Sequence, residues 1–237
     1  MVSLVPSLTE LIWTIDPGAL VGRTRYCNEP AGVLLAPAAG GTKDPDLGMI
    51  AEIAPDLVIA NREENRREDV EALRLAGIEV LVTDPASVEQ AMQMVVDIAA
   101  RLGNEEAGWD ICGKTAEVLR EPVGGEPIEV FVAVWPEPLI GLGGQTFGND
   151  VLKHCGLRNI LEGRERYPGV ERGELAALGP RLILLPDEPY RFGEQHVAEF
   201  ADIAPARVID GKLLWWYGPR MAASIRRLRE IVMEERR

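Results

Sequence analysis

Cysteine is scarce in this chain. Cys27, Cys112 and Cys155 are odd in number, far apart and without a C-x-x-C pair, which excludes a disulfide framework and a zinc ribbon. The two histidines, His154 and His196, lack the spacing of a zinc-binding helix, so no metal site is expected. Basic residues are outnumbered, 25 against 38 acidic ones, for a net charge of −13. Such a surface is not built for nucleic-acid phosphates or an anionic membrane, and its acidity favours solubility without naming a ligand. No apolar run approaches the ~20 residues that span a bilayer, so no membrane insertion is expected. The start lacks a charged n-region, an apolar h-region and a cleavage site, because Met1 runs directly into V-S-L-V. As written, the chain is expected in the cytoplasm; if it is a trimmed mature form, it is expected in the periplasm or another extracytoplasmic space.

What is present is a passage that occurs twice. Gly48 to Ala60 reads G-M-I-A-E-I-A-P-D-L-V-I-A, and Gly173 to Leu185 reads G-E-L-A-A-L-G-P-R-L-I-L-L, aligned without a gap at an offset of 125. Ile50 matches Leu175, Pro55 matches Pro180, and the run Leu57 to Ala60 matches Leu182 to Leu185. Each copy reads as a short amphipathic helix, a proline stop and a buried strand. One repetition half a chain apart implies two similar lobes rather than a solenoid, and a cleft between lobes is a common ligand site.

The remaining pattern fits α/β lobes. Val2 to Val5 reads as a strand, Ser7 to Glu10 as a capping box opening a helix to Ile15, and Ala19 to Gly22 as a second strand. Arg23 to Asp46 reads as loop. Asn65 has N-cap chemistry for a helix that Gly77 closes, and Ile78 to Val82 is the next strand, giving parallel βαβ units. Ser87 opens a helical connector that Gly103-Asn104 interrupts before it continues to about Leu119. The second lobe begins with strand Ile128 to Val134, includes a helix after Thr146 and a strand at Arg207 to Ile209, and ends in a helix with Met221, Ile225, Leu228 and Val232 on one face. The division is a 1–86 N-terminal α/β lobe, an 87–121 backbone helix and a 122–237 C-terminal α/β lobe.

Several motifs have a plain and a functional reading. Gly141 to Gly148, G-L-G-G-Q-T-F-G, resembles a phosphate-cradling turn but lacks the G-K-[ST] ending of a P-loop; a tight turn with Thr146 capping a helix is the better reading. Cys27 lies in T-R-Y-C-N, just after Arg23 and Arg25, where cations can lower a thiol pKa, or it is a quiet loop cysteine. The thirteen aromatic side chains include several beside strand ends: Tyr26, Trp135, Tyr167 and the run Trp215-Trp216-Tyr217. Flat rings there suit a planar or bulky ligand, although at least one of Trp215 and Trp216 is expected to fill core beside the last helix. Arg62 to Arg67 is a mixed charge run just past a strand's carboxyl end, where open α/β sheets bind ligands.

Taken together, S-L-V-P-S-L-T-E, G-R-T-R-Y-C-N-E-P, I-A-P-D-L-V-I-A and W-Y-G-P-R resemble the helical-backbone (class III) periplasmic binding proteins, nearest the cobalamin-binding branch of ABC importers, with relatives that bind iron-siderophores and haem. The resemblance covers nearly the whole chain. It implies two α/β lobes with mostly parallel sheets, bridged by a long helix, with ligand held between them. It places Tyr26 and Trp135 at aromatic contacts of the two lobes, and Tyr167 where the cobalamin binder has a tryptophan. Lys43 and Asn61 replace two further tryptophans, and Lys212 and Trp216 replace an acid and an arginine. The implied pocket is more polar and cationic on the first-lobe side, which suits a smaller or anionic chelate. The surface glutamates that dock such proteins onto a permease correspond to Gly48 and Gly173, which weakens an ABC permease as partner.

The expected function is therefore a solute-binding protein for a cobalamin-like or metal-chelate ligand (cobalamin, haem or an iron chelate), with no covalent catalysis and no bound metal of its own. The ligand contacts would be Tyr26, Lys43, Asn61, Arg62, Trp135, Tyr167 and Trp216. The alternatives are a cytosolic enzyme or ligand-sensing regulator on the same scaffold, using Cys27 with Arg25 or Lys43 with Glu63 and Glu64, and a structural or interaction module.

Overall fold

In the computed structural model, which describes residues 1–236, both copies of the repeated passage fold alike. Two compact units divide the chain. The first holds Met1–Pro85, Gln90–Lys114 and Trp216–Pro219; the second holds Ala86–Glu89, Thr115–Trp215 and the chain from Arg220 onward.

The first unit is built on a parallel three-stranded sheet of β1 (Val2–Ser3), β2 (Val58–Asn61) and β3 (Val80–Thr83), in that order. Helices α1 (Pro6–Ile15), α2 (Leu47–Ile53) and α3 (Arg67–Leu75) belong to this unit. The apolar run of β2 is buried at every residue, as expected of a parallel strand covered on both faces. Val2, Leu4, Ile50, Val58, Ala60, Val70, Leu73 and Val80 form its core.

The chain passes between the units in helical form, through α4 (Val88–Arg101) and α5 (Glu105–Arg120), with the break at 102–104. The connection is thus two helices in sequence rather than one. At the break, Asn104 donates from Nδ2 to the Ile15 carbonyl at 2.8 Å.

The second unit carries a mostly parallel five-stranded sheet. Its strands are β4 (Ile128–Pro136), β5 (Leu139–Gly141), β6 (Leu157–Asn159), β7 (Leu182–Pro186) and β8 (Ala206–Ile209). The order is β5-β4-β7-β8, with β6 also pairing β4 and only β5 antiparallel. Its helices are α6 (Phe147–His154), α7 (Arg172–Leu178), the single turns α8 (Glu194–Val197) and α9 (Lys212–Trp215), and α10 (Met221–Glu235). Phe131, Ala133, Leu161, Leu175, Ile183, Leu185, Phe192 and Phe200 pack in one core. On α10 the expected face Met221, Ile225, Leu228 and Val232 is buried.

The sequence repeat is a repeat of core positions. Ile50 and Leu175, Val58 and Ile183, and Ala60 and Leu185 occupy the two cores at the same offset. The repeated helices also end identically, in left-handed residues: Ala54 at φ 48° and Gly179 at φ 62°. Alanine pays a Cβ penalty there that glycine does not. Ala54→Gly is therefore expected to stabilise the protein by about 0.5–1 kcal/mol. Gly179→Ala, with no atom within 4 Å of the added Cβ, is expected to destabilise it by about 1 kcal/mol from conformation alone. Denaturant titration of both variants checks this.

Several local expectations need correction. The Ser7 capping box does not form: α1 starts two residues earlier, at Pro6, Val5 is the N-cap, and Ser7 Oγ is buried with no hydrogen-bond partner. Ala19 to Gly22 is not a strand; Pro17–Ala19 is a 3-10 turn closed by Asp16, and only isolated bridges join Gly22 to Val2 and Arg23 to Ala38. Asn65 does not cap α3, whose N-cap is Arg66; its side chain is drawn inward to other partners. Gly77 does close α3, with Ile78 N–H donating to the Leu73 carbonyl at 3.1 Å. Thr146 caps α6 as expected, accepting from Asn149 N–H at 3.3 Å.

Candidate functional site

The carboxyl ends of β2 and β3 carry the first unit's candidate residues. Asn61 ends β2 and is 1% exposed. Its Nδ2 lies 3.1 Å from the Thr83 carbonyl, 3.2 Å from Thr83 Oγ1 and 3.2 Å from the Tyr217 hydroxyl, while its Oδ1 accepts from Glu63 N–H at 2.9 Å. Asn65 completes the knot. Its Oδ1 accepts from Asn61 N–H at 2.8 Å, and its Nδ2 donates to the Leu4 and Thr42 carbonyls. Asn61 is thus not the open polar contact expected of it; its bonding capacity is spent inside the fold, as a buried amide requires.

What Asn61 holds in place is the turn beyond β2. Lys43, exposed, donates from Nζ to the Glu63 carbonyl at 2.9 Å. Arg62 projects outward with its side chain 68% exposed and pairs with Asp84 at 2.8 Å; a pair so open to water adds little stability. Tyr26 is 54% exposed, with the Arg25 guanidinium 5.0 Å from its ring centroid. Trp216 is only 8% exposed and Tyr217 4%, so Trp216 offers far less surface than a flat ligand contact needs. A groove of about 730 Å³ runs beside β3 and α4, past Thr83, Asp84, Gln90, Gln93, Asp97 and Arg101. None of the expected contact residues lines it.

The second unit presents Trp135 at the carboxyl end of β4, 43% exposed. Its ring meets Tyr190 edge-on, with centroids 5.2 Å apart and planes at 72°. Tyr190 stands in the loop after β7 and leans in turn on Phe192 and His196. That loop is anchored from α9: Trp215 Nε1 donates to the Glu188 carbonyl at 2.7 Å, and Gly211 N–H to Asp187 Oδ1 at 2.8 Å. Trp215 is therefore a structural tryptophan. Tyr190 was missed from sequence because no apolar period or motif marks it; its position after a buried strand, on the side where Trp135 emerges, is the available signal.

Tyr167 is half-buried in a segment laced to the glycine-rich passage. Gly141, Gly143 and Gly144 N–H groups donate to the carbonyls of Pro168, Arg166 and Arg164 at 3.0, 2.6 and 2.7 Å, and Arg166 N–H returns a bond to Gly144 at 2.9 Å. G-L-G-G is thus a docking strip for the Tyr167 loop, and the phosphate-cradle reading falls because these N–H groups are spent on carbonyls.

The cysteine chemistry is absent. Cys27 is fully buried, its sulfur 3.0 Å from Thr9 Oγ1 and 3.1 Å from Thr24 Oγ1, and burial pushes its thiol pKa up. Arg25 turns instead to Asp44, at 2.8 Å. Burial pushes Cys155 up to about 12 and raises Cys112 as well. Thiolate is the reactive form, so iodoacetamide at pH 8 is expected to leave Cys27 and Cys155 unmodified in the folded protein, to label only half-buried Cys112, and to label all three in denaturant. Mass spectrometry of the adducts reads the result. Lys43 likewise meets a backbone carbonyl, not a carboxylate. Among the described residues, no cluster of three His, Cys, Asp or Glu could hold a metal ion, and no helix is long and apolar enough to cross a membrane.

No protein-family model matches the chain. Over 191 residues it is 26% identical to the vitamin B12-binding protein of Photorhabdus laumondii, covering 78% of this chain and 70% of the relative. The vitamin B12-binding protein of Yersinia pestis is 25% identical over 195 residues, 78% of this chain and 68% of the relative. Among solved structures, the periplasmic vitamin B12-binding protein of Vibrio cholerae superposes with a TM-score of 0.84 at 18% identity, covering 100% of this chain and 97% of that one. The periplasmic haem-binding protein RhuT of Roseiflexus sp. RS-1, in apo form, gives 0.81 at 19% identity, covering 100% and 98%. The chain is similar in sequence to the vitamin B12-binding proteins, and it has the α/β fold shared by the periplasmic binding proteins for vitamin B12 and haem.

Proposed function

We propose that the protein is a solute-binding protein for a metal chelate, cobalamin-like or haem-like, and that it binds without covalent catalysis. The observation that carries this reading is the pair of exposed aromatic rings, Tyr26 in a turn of the first unit and Trp135 at the carboxyl end of β4 in the second unit. Carboxyl-end loops are where open α/β sheets take ligands. Flat apolar rings with a few fixed polar groups suit a bulky planar ligand. On the first unit Lys43, next to the Asp44 that pairs with Arg25, and the exposed Arg62 supply cationic groups, which favours a chelate bearing negative charge over an uncharged corrin. Asn61 acts in this reading by fixing the turn that Lys43 grips, and Tyr167 contributes from its laced loop. The sequence relatives, named for vitamin B12 binding, support the ligand class.

An importer partner is the finer question. Gly48 and Gly173 are exposed where docking glutamates are expected, and the neighbouring Glu174 is ion-paired with Arg164. In our reading the protein acts without the usual glutamate-mediated permease docking, whether inside or outside the cytoplasm.

The test is native mass spectrometry with an absorption spectrum of freshly purified protein, followed by titration with cyanocobalamin, haemin and a ferric catecholate. A one-to-one complex with any of them, with its chelate absorption, is the expected result. No mass shift with all three would overturn the reading.

A further inference from the structure

The second unit's aromatic cluster contains a hydrogen-bond donor with no acceptor among the described residues. His196 is 8% exposed, and its Nδ1 lies 2.9 Å from Gly193 N–H. A backbone amide always carries its proton, so a proton on Nδ1 would set two hydrogens face to face across that distance. The longer 3.3 Å approach of Nδ1 to the Gly193 carbonyl does not compensate. Nδ1 is therefore the bare nitrogen, and in the neutral ring the proton sits on Nε2. Nε2 faces the Tyr190 hydroxyl at 3.4 Å, so the phenol oxygen accepts from His196. Its own O–H must then point to another acceptor, and among the described residues Tyr190 has none.

We infer that Tyr190 is a ligand-binding residue that donates its hydroxyl proton to an oxygen acceptor, a carboxylate in particular, at the edge of a flat ligand lying on Trp135. The inference rests on the solute-binding reading above and adds to it a specificity-determining residue. Its geometry has three parts. The Tyr190 ring is fixed edge-on between Trp135 and the Phe192–His196 pair, with centroids 5.2, 4.8 and 5.5 Å away. The loop that carries it is tied by Trp215 and Gly211. Its donor is half-buried beside the exposed indole. Because His196 fixes the acceptor side of the phenol, the free donor is preorganised, which lowers the entropic cost of engaging a ligand. A hydrogen bond to a charged oxygen is the strong kind.

The test compares wild type with Tyr190→Phe, which keeps the ring contacts and removes the donor. The probes are haemin, which carries two carboxylates, and haemin dimethyl ester, followed by absorption and by Trp fluorescence quenching. Near-UV circular dichroism confirms that the variant is folded. Wild type is expected to bind haemin roughly tenfold more tightly than Tyr190→Phe does, with the difference shrinking to about twofold or less for the ester. Equal loss for both probes, or no loss for haemin, would overturn the role of Tyr190 while leaving the solute-binding reading intact. Failure of wild type to bind haemin overturns the carboxylate assignment; the solute-binding reading itself falls only if cyanocobalamin and the ferric catecholate fail too. Long-range proton–nitrogen NMR of the free protein supplies a ligand-independent check: a His196 ring protonated on Nδ1 rather than Nε2 would remove the free donor.

Discussion

Asn61→Ala is expected to lower unfolding stability by about 2–3 kcal/mol, or roughly 5–10 °C in Tm, and to weaken ligand binding with it. Asn61 is 1% exposed and joins three chain segments: the turn at Glu63, the end of β3 at Thr83, and the returning segment at Tyr217. Truncation leaves Glu63 N–H without its acceptor and removes a donor from the Tyr217 hydroxyl. The Thr83 carbonyl keeps one partner, Arg62 N–H at 2.9 Å, and Thr83 Oγ1 still donates to the Ala60 carbonyl at 3.1 Å. One buried and one part-buried hydrogen bond are thus lost and the two to Thr83 are removed from groups that keep a second partner, which sets the magnitude. Asn61→Asp distinguishes lost bonding from lost volume. It retains the shape but places a carboxylate against the Thr83 carbonyl, so burial would raise its pKa above the unfolded value. That penalty is absent when the group is protonated and grows as pH rises through the unfolded pKa. The Asp variant is therefore expected to lose more stability at pH 7 than at pH 4, measured against wild type at each pH. An Asn61→Ala protein as stable as wild type would show that the turn beyond β2 is held by Asn65 alone. Because the Glu63 carbonyl holds Lys43 Nζ, loosening this turn should also reduce binding of an anionic chelate more than that of cyanocobalamin.

The legible parts of this protein were those that one dominant physical effect decides. The doubled passage was readable because a two-sided buried strand must be a continuous apolar run, and it occupies equivalent core positions in both units. Trp135 was readable as a ring beside a strand end, and Thr146 as a cap. The errors arose where two local effects compete. Ser7 and Glu10 spell a capping box, but Pro6 is better suited to the first helical position and moved the start. Asn65 has cap chemistry, yet three backbone partners claimed its amide first. Asn61 lies where a contact residue of similar proteins would lie, and only tertiary structure reveals that Thr83 and Tyr217, 22 and 156 residues away, consume its side chain. Tyr190 was invisible for the converse reason: its value comes from the tautomer of His196 and the angle of Trp135, neither of which has a sequence signature.

Gly144→Ala is expected to cost about 1–3 kcal/mol through overpacking and to weaken chelate binding further through Tyr167. A Cβ at residue 144 would stand 2.2 Å from the Glu162 carbonyl oxygen and 3.3 Å from that of Arg164. Both neighbours are backbone, so no side chain can rotate aside, and the 162–166 segment must shift. That segment is where Gly144 exchanges hydrogen bonds, donating to Arg164 and accepting from Arg166, and Gly143 adds its bond to Arg166 at 2.6 Å. Moving it breaks the strip at its Gly143–Gly144 end and loosens the Tyr167 loop on that side, leaving the Gly141 bond to the Pro168 carbonyl on the other. Gly163→Ala is the matched control: it lies in the same segment with no atom within 4 Å of an added Cβ, and should bind and melt within about 0.5 kcal/mol of wild type. Differential scanning calorimetry and chelate titration of the two variants separate the effects. If Gly144→Ala loses stability but binds as wild type does, Tyr167 is not a ligand contact. If it loses neither, the strip is not what holds that loop. The expected outcome, loss of both in Gly144→Ala and of neither in Gly163→Ala, would assign to the G-L-G-G passage the task of presenting an aromatic ring.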